Sequence, residues 1–574
     1  MKAAGAVVVA TTLGAALLIQ ATAFRQNKSI TFDETYFLSC ALQTVRDGRL
    51  DPRIAAEGIA PLPIILSYLA PLSLSGGEDR PEPWWGHVRD ARLIAGPRLV
   101  NSIVVGLPLL LLVAGWLYRR KGASAATAGA GLIAFCPSVV AHVSLAGTDA
   151  CFALFGTLAL AAIAGHFHRP SPWRFGLMAL AIAAGMAAKY SGVFLLPVAA
   201  VMYLVQPPRP AADRARMPWI KRCRRAARDG ALLVLLTATF WWGLHLFSFT
   251  GPLKNYPLEK TPDSSPWVQM LGRGPVATEA MRIAHEKLKR PAPLAGVLFQ
   301  YLHNRRGHSA FLLGRRSETG WWHYFPFAFL AKSTPVELLL CGALAVLVAR
   351  RLPAPWRAFK ALDTQVQSLL IGAAVFSLLV VSARINIGQR YLLLLYPLLV
   401  LLAVDRLWER MRRRPRLGGS CAAALVAAQA ASCLSVAPHY LAYFNRAAGG
   451  PERGWHLLVD SNIDWGQDLP GLGRELERGD RRRVALAYFG TAAPRAYGVE
   501  ADNVPALKRP LDEYDTLALS VTALQGLYVL ADDPFREFRS FRPIGRAGYS
   551  ILVFDLAEPP GLDAFRAALS RYRR

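Results

Sequence analysis

The chain alternates between long apolar runs and short polar connections along most of its length. Eleven of these runs approach the length of about 20 residues at which a helix spans the hydrocarbon core of a bilayer. They cover residues 3–23, 98–118, 123–142, 147–166, 173–189, 190–206, 229–249, 328–349, 364–383, 389–407 and 418–437. The pattern predicts an all-α polytopic membrane bundle with one transmembrane helix for each run.

The first run has two interpretations. Lys2, the apolar core and the small residues at 21–23 resemble a secretory signal with its cleavage site. The run is longer than the usual apolar core of a signal, and this length favours a retained helix. In either case residues 24–97 are expected on the outer side of the membrane.

Basic residues concentrate in every second connection between the runs. With the amino terminus inside, the inner connections are residues 119–121, 166–174, 207–229, 349–360 and 405–416. Lysine and arginine are enriched in cytoplasmic loops, so this topology accounts for much of the formal net charge of +27. The charge is therefore interpreted as a topology signal, and no nucleic-acid partner is expected. The predicted location is the cell (inner or plasma) membrane, with the active site on the external, periplasmic side.

Three long segments fall on the predicted outer side, namely residues 24–97, 250–327 and 438–574. The last one carries apolar runs at 484–490, 516–524 and 550–556, separated by helical patterns such as LPGLGRELERGDRR. This alternation predicts a small α/β domain. The chain is thus divided into a transmembrane core, residues 1–437, and an external soluble domain, residues 438–574, which is expected to supply no catalytic residue.

Acidic and basic side chains recur at the outer ends of the predicted spans. Asp33 and Glu34 lie in SITFDETYF shortly after the first run, and Asp149 lies between the third and fourth runs. The basic residues at the same level are Lys189, Lys332, Arg384 and Arg390. Each one alone is more typical of a solvated acid or a snorkelling cation than of a site, but together on one face they indicate a site.

The chemistry of these groups suits group transfer at a membrane surface. A carboxylate can act as general base for an acceptor hydroxyl, and Lys and Arg can bind a phosphate. The sequence has no P-loop and no dinucleotide-binding fingerprint. An outward-facing transferase has no access to soluble nucleotide donors, so the activated group is expected to arrive on a lipid phosphate.

Several motifs carry a resemblance to a known family. They are FDETYFLS, SLAGTDA, GMAAKYSGVFLLP, GHSAFLLG, WWHYFPFAFLAKSTP, INIGQRYLLLLYP and YFNRAAGGPERGWHLLVDSNIDWGQDL. With these motifs the chain resembles the bacterial branch of the protein O-mannosyltransferase-like (family 39) glycosyltransferases. These are multi-spanning enzymes of the GT-C class that use polyprenyl-phosphate sugars. The resemblance covers residues 24–550.

The resemblance implies roles for individual residues. Asp33 matches the catalytic base of the family, and Glu34 resembles its supporting partner. Asp149 matches the acid in the second external loop that shapes the sugar and acceptor site. Contacts with the donor or substrate are implied for Lys189, Tyr190, His308, Lys332 and Arg390.

The implied reaction is an inverting transfer of a hexosyl or pentosyl group from a polyprenyl-phosphate donor to an acceptor hydroxyl. The acceptor stays open among protein, lipid and glycan, because the 250–327 loop is too short for the inserted trefoil domain of the eukaryotic enzymes. A transporter or flippase of lipid-linked sugars is the alternative, although it usually needs polar groups at mid-membrane depth and broken helices. A third class is a non-catalytic scaffold whose tail binds wall components.

The sequence implies no cofactor. Its seven cysteines are scattered, mostly inside apolar runs, which argues against a disulfide framework and a zinc site. A divalent metal is an open alternative without support from any ligand cluster.

Two further residues have two interpretations each. Trp465 could contact a sugar or belong to a helix start capped by Asp464. Arg98 could reach the site or anchor the second span at the interface.

Overall fold

The computed structural model describes residues 3–74, 91–206, 219–250 and 272–572, apart from residues 273, 288, 352 and 530–532. Parts of the predicted loops 24–97, 207–229 and 250–327 lie outside the described residues. Within the described ranges a helix lies at each of the eleven apolar runs.

The helices of the membrane core are, in chain order, α1 (Ala3–Asn27), α2 (Phe32–Asp47), α3 (Pro52–Ala56), α4 (Pro61–Leu74), α5 (Ala95–Lys121), α6 (Ala123–Ala134), α7 (Pro137–Val143), α8 (Thr148–His168), α9 (Pro172–Ala188), α10 (Tyr190–Val205), α11 (Trp219–Leu244), α12 (Pro275–Glu286), α13 (Ala292–Arg306), α14 (Tyr324–Lys332), α15 (Pro335–Ala349), α16 (Pro355–Lys360), α17 (Thr364–Val381), α18 (Leu395–Arg412) and α19 (Pro415–Leu434). Two small antiparallel pairs join them, β1 (Phe249–Thr250) with β2 (Arg290–Pro291) and β3 (Ala310–Leu312) with β4 (Arg315–Ser317).

Five of the described helices are long and apolar enough to cross a membrane, namely α1, α5, α8, α17 and α19. A sixth span would combine α6 and α7, which are bent by 68° relative to each other. The bend falls at Pro137, because proline lacks the N–H that would continue the helix and forces the preceding residue out of helical geometry. The chain is therefore a multi-pass helical membrane protein, and the count of eleven spans stays a prediction.

The tail folds around a five-stranded sheet with the strand order β6–β5–β7–β9–β8. The strands are β5 (Val484–Ala487), β6 (Asp502–Asn503), β7 (Thr516–Ser520), β8 (Gly545–Ala547) and β9 (Ile551–Asp555). The helices are α20 (Gly450–Arg453), α21 (Leu469–Arg478), α22 (Val521–Leu524) and α23 (Pro559–Tyr572). β5 is parallel to β6 and β7, whereas β9 is antiparallel to β7 and β8. The three apolar runs expected in the tail form the central strands β5, β7 and β9, whose side chains are buried on both faces.

Buried cations connect the tail to the membrane core. The ammonium of Lys28, just after α1, forms an ion pair with Asp468 and contacts Nδ1 of His439 at 2.5 Å. The ammonium of Lys332, at the end of α14, donates to the backbone carbonyls of Leu441 and Asn462. A buried ammonium without such partners would be costly, so these contacts hold the two parts together.

Candidate active site

The stretch SITFDETYF forms the start of α2. Thr31 precedes the helix in an extended conformation, and its backbone N–H and hydroxyl both donate to Oε2 of Glu34, at 3.0 and 2.9 Å. This arrangement of a threonine and a glutamate three residues later is the capping box that starts a helix. It leaves Asp33 in the first turn, with its side chain 30% exposed.

Glu34 is a buried structural junction. Its Oε2 accepts from Nη2 of Arg98 at 2.6 Å, and its Oε1 accepts from Nε of Arg98 at 2.9 Å and from the backbone N–H of Ala146 at 3.0 Å. Burial raises the pKa of the Glu34 carboxyl, but the charge and hydrogen bonds of Arg98 outweigh it and hold the pKa below its usual value. Glu34 therefore ties α2 to α5 and to the loop before α8 in its ionised form.

The loop before α8 is anchored from α5. The side-chain amide of Asn101 donates to the backbone carbonyls of Val143 at 3.0 Å and Leu145 at 2.8 Å. Together with the Ala146 contact to Glu34, these bonds fix the chain that leads into Asp149 in the first turn of α8. The carboxyl of Asp149 is thereby held 4% exposed.

Arg390 joins the two aspartates. Its Nη1 donates to Oδ2 of Asp33 at 2.7 Å and lies 3.6 Å from Oδ2 of Asp149. Lys189 pairs with the other oxygen of Asp149, and its ammonium lies 4.1 Å from the ring centre of Tyr391. Acids and cations thus alternate in the order Asp33, Arg390, Asp149, Lys189.

A cavity of about 510 Å³ opens beside this cluster. Asp33 and Arg390 line it from the membrane core, together with Phe32 and His308. The Nε of Arg390 is buried and has no hydrogen-bond partner among the described residues. The arrangement offers a partly exposed carboxylate next to an unused guanidinium donor, which suits a hydroxyl and an anion bound side by side.

The tail completes this cavity. The backbone N–H of Phe32 donates to the carbonyl of Trp465 at 3.0 Å, and the N–H of Ser29 donates to the carbonyl of Gln467 at 2.8 Å. The guanidinium of Arg390 lies 4.1 Å from the ring centre of Trp465, which also lines the cavity. Trp465 thus supports both residues of the Asp33–Arg390 pair.

Two of the residues predicted to contact the donor lie elsewhere. Lys332 is bound to tail carbonyls and packs over the ring of Phe444 at 4.4 Å. The hydroxyl of Tyr190 contacts Nε2 of His245 at 3.1 Å. Neither residue lines the cavity, and Lys189 and Asp149 do not line it either, so the roles of all four stay predictions.

The helix start near Asp464 differs from the sequence interpretation. α21 begins at Leu469, and the residue before it is Asp468. Asp464 is buried and accepts from the backbone N–H groups of Thr522 at 3.1 Å and Gly466 at 3.4 Å. Burial raises the pKa of Asp464 to about 7.

The sequence did not point to Asp460 or Tyr528, which line the cavity from the tail. Their side chains are hydrogen-bonded to each other at 2.7 Å although the residues are 68 positions apart. The available signal was the acidic and aromatic DSNIDWGQD stretch, which begins at Asp460, but it gave no information about the partner at Tyr528.

Among the described residues no group of three or more His, Cys, Asp or Glu side chains could hold a metal ion. The acids of the candidate site instead face Arg390 and Lys189.

Comparison with known proteins gives distant structural similarity only. No family model and no curated protein matches the chain. The chain is similar to ArnT from Cupriavidus metallidurans bound to undecaprenyl phosphate, at 13% identity and a TM-score of 0.45 over 97% of this chain and 100% of that one. It is also similar to the archaeal oligosaccharyltransferase AglB from Archaeoglobus fulgidus in complex with an inhibitory peptide and a dolichol-phosphate, at 12% identity and a TM-score of 0.45 over 89% of this chain and 69% of that one.

Proposed function

We propose that the chain is an inverting membrane glycosyltransferase that moves a sugar from a polyprenyl-phosphate donor to an acceptor hydroxyl. The observation that carries this proposal is the Arg390 guanidinium, which pairs with Asp33, lies beside Asp149 and belongs to a residue that lines the cavity. A base and a phosphate-binding cation are thereby adjacent, as transfer from a lipid phosphate requires. The sequence resemblance to family 39 gives independent support.

The residues divide the reaction between them. Asp33 accepts the proton of the acceptor hydroxyl, whose oxygen forms a bond to the anomeric carbon of the sugar. The bond from that carbon to the phosphate oxygen breaks, and the lipid phosphate leaves with the electron pair. Arg390, which lines the cavity, stabilises its charge together with the half-buried Lys189 that pairs with Asp149. A single base acting on one face of the sugar leads to inversion.

Asp149 and Glu34 have supporting roles in this proposal. Asp149 pairs with Lys189 and lies near Arg390, so it holds both cations in place before the donor arrives. Glu34 does not line the cavity and acts through α2, which it fixes against Arg98 and Ala146. Glu34 is therefore a positioning residue.

One observation favours the alternative of a flippase for lipid-linked sugars. The helices α6 and α7 are bent by 68°, and broken helices are a feature of transporters. The bend lies next to the loop that leads to Asp149, so both functions would use the same region.

A single experiment separates the two functions. Purified full-length protein in liposomes is given polyprenyl-phosphate mannose, glucose or arabinose with a radiolabel in the sugar. Lipid, glycan and peptide acceptors are offered in turn. Release of one label from the lipid, dependent on Asp33, supports the glycosyltransferase. Movement of an intact labelled lipid across the bilayer without release would contradict it and favour the flippase.

A further inference from the structure

A second polar cluster lines the same cavity. Unlike the Asp33–Arg390 pair, it includes residues of the tail. The hydroxyl of Tyr528 donates to Oδ2 of Asp460 at 2.7 Å, and Nδ1 of His308 lies 3.0 Å from the same hydroxyl. All three residues line the cavity. The cluster joins the long loop of the membrane core to the tail.

Asp460 is a buried carboxylate without a cationic partner. It is 6% exposed, and no ion pair to it is found within the part of the chain that the structure describes. Its other oxygen accepts from the backbone N–H of Ser461 at 2.5 Å. Burial raises the pKa of Asp460 despite these bonds. A buried acid in a cavity wall is costly to keep unless it has a polar ligand to bind.

The backbone at this contact is strained at both ends. Asp460 has a φ of 57° and Tyr528 has a φ of 55°, in the left-handed region that residues other than glycine rarely adopt. Two such residues are thus hydrogen-bonded to each other across the cavity wall. Strain of this kind persists where the surrounding structure holds side chains in a required position.

The cluster has apolar neighbours that complete its chemistry. The rings of Phe32, Phe489 and Tyr528 form a continuous stack, with centres 5.5 and 5.1 Å apart and planes within 18° and 17°. Phe32 is the residue before Asp33, so the stack leads from the candidate base to the cluster. A sugar ring has hydroxyl groups at its edges and C–H groups on its faces, and this wall offers partners for both. The cavity of about 510 Å³ is of the size of small-molecule sites.

We infer that Asp460, Tyr528 and His308 form a subsite that binds the hydroxyl groups of a sugar ring. This inference rests on the proposed function and adds the residues that recognise the sugar. Asp460 accepts a hydrogen bond from a sugar hydroxyl. The contacts with Asp460 and His308 orient the hydroxyl of Tyr528 for a second hydrogen bond to the sugar. Removing one hydrogen bond at such a site leaves a buried polar group unpaired, so it should weaken sugar binding strongly.

The test measures binding without turnover. Full-length protein in detergent is titrated with undecaprenyl phosphate and with undecaprenyl-phosphate mannose, glucose and arabinose. Tyr528→Phe and Asp460→Asn are compared with Tyr514→Phe. Tyr514 is a matched control, because its hydroxyl donates to Asp502 at 2.7 Å in the same domain but does not line the cavity.

At least one sugar-bearing lipid should bind the wild-type protein more tightly than undecaprenyl phosphate. The Tyr528→Phe variant should bind that lipid about tenfold or more weakly than the wild type does, and its affinity for undecaprenyl phosphate should be unchanged. Tyr514→Phe should change neither affinity. If Asp460→Asn fails to fold, Tyr528→Phe carries the test, and its unchanged affinity for undecaprenyl phosphate shows an intact site.

A second arm identifies the source of the sugar. The methyl glycosides of the same three sugars are titrated with undecaprenyl phosphate saturating. Loss of glycoside binding in Tyr528→Phe, with donor affinity unchanged, assigns the subsite to a sugar of the acceptor.

The inference would be overturned if Tyr528→Phe bound every probe as tightly as the wild-type protein does. It would also be overturned if the wild-type protein bound no sugar-bearing lipid more tightly than undecaprenyl phosphate and bound none of the methyl glycosides. If Tyr528→Phe transfers sugar normally and binds sugar as the wild type does, the subsite is contradicted but the proposed function is not. Sugar-dependent binding without any transfer contradicts the proposed function alone.

Discussion

Arg390 and Asp33 form an ion pair of 2.7 Å between residues 357 positions apart in the chain. In a resting site this contact occupies the carboxylate that the proposed reaction needs as a base. A donor phosphate would compete for the same guanidinium and so release Asp33 for the acceptor. In the proposed reaction, donor binding and activation of the base would therefore be coupled through one side chain.

Asp33→Asn should abolish transfer while fold and membrane insertion are kept, because the two side chains are nearly isosteric. Loss of a positioned base typically lowers the rate by about 10²–10⁴. The measurement is release of labelled sugar from the polyprenyl phosphate. Asp47→Asn, at the exposed end of the same helix, is the control and should keep the wild-type rate. Near-normal turnover in Asp33→Asn would contradict the mechanism.

Arg390→Lys should raise the KM for the donor more than it lowers kcat. A lysine keeps one charge but cannot contact Asp33, approach Asp149 and stack on Trp465 at once. An increase of about tenfold or more corresponds to about 1.4 kcal/mol of lost binding. Initial-rate kinetics with varied donor measure it.

Arg384→Lys is the matched control for this variant, since Arg384 belongs to the same SARINIGQRY stretch but is exposed and bonds to the carbonyl of Arg305. Equal effects of the two lysine variants would show that the Arg390 contacts are not specific to the site.

Asp149→Asn should also lower turnover. Its rate should lie between the rates of Glu34→Gln and Asp33→Asn, or be as low as that of Asp33→Asn.

Glu34→Gln should destabilise the protein and lower turnover less than Asp33→Asn does. It removes the charge that faces the buried guanidinium of Arg98, and breaking a buried pair costs about 3–5 kcal/mol. The free energy of unfolding in detergent is the measurement. Glu500→Gln removes a comparable pair with Arg495 on the surface, where the cost is about 0–1 kcal/mol. If Glu34→Gln were as stable as Glu500→Gln, the stabilising role of the buried Glu34–Arg98 pair would be contradicted.

Asp464→Asn should flatten the dependence of stability on pH. The folded pKa of Asp464 is raised to about 7, so the folded protein binds a proton that the unfolded chain has released. Stability from this group is complete below the usual carboxyl pKa of about 3.9 and is lost as the pH rises through about 7. The unfolding midpoint, measured from about pH 5 to about pH 8, should fall less in the variant than in the wild type. Asp480→Asn, fully on the surface, should keep the wild-type slope, and an equal slope in Asp464→Asn would refute the prediction.

The predicted topology can be tested with single cysteines at Arg357 and Arg482, which are exposed at the 349–360 connection and in the tail. The native Cys223 in the 207–229 connection and the exposed Cys341 and Cys421 are first replaced by serine. An impermeant thiol reagent added to intact cells should label only the cysteine at position 482, because the 349–360 connection is one of the basic inner loops. Labelling at position 357 would reverse the orientation.

The helices and the tail strands followed from periodicity because each depends on its own local apolar pattern. A helix lies at every apolar run, and the three continuous apolar runs of the tail are its central strands. The acids and cations of the site could be named from their place at the ends of runs, but their pairing could not. Lys189 and Lys332 have the same sequence context, yet one pairs with Asp149 and the other binds carbonyls of the tail.

The contribution of the tail to the cavity was missed for a physical reason. Asp460 and Tyr528 meet only after β7 and the segments around it have folded, so no local pattern marks the pair. The sequence shows Glu34 next to Asp33 but does not show that their side chains diverge. In a helix, consecutive side chains point in different directions, and Glu34 turns towards Arg98 while Asp33 faces the cavity.

The backbone pairing of Phe32 with Trp465 has a consequence for biosynthesis. The neighbouring contact from Ser29 to Gly466 joins residues 437 positions apart. At about 5–20 residues per second, the ribosome needs roughly 20–90 s to make the second partner after the first. During that interval the nascent chain holds its first aspartate without the 465–467 segment that pairs with the start of its helix. Incomplete chains should therefore be inactive in the membrane, and activity should appear only when translation has reached the carboxyl-terminal quarter.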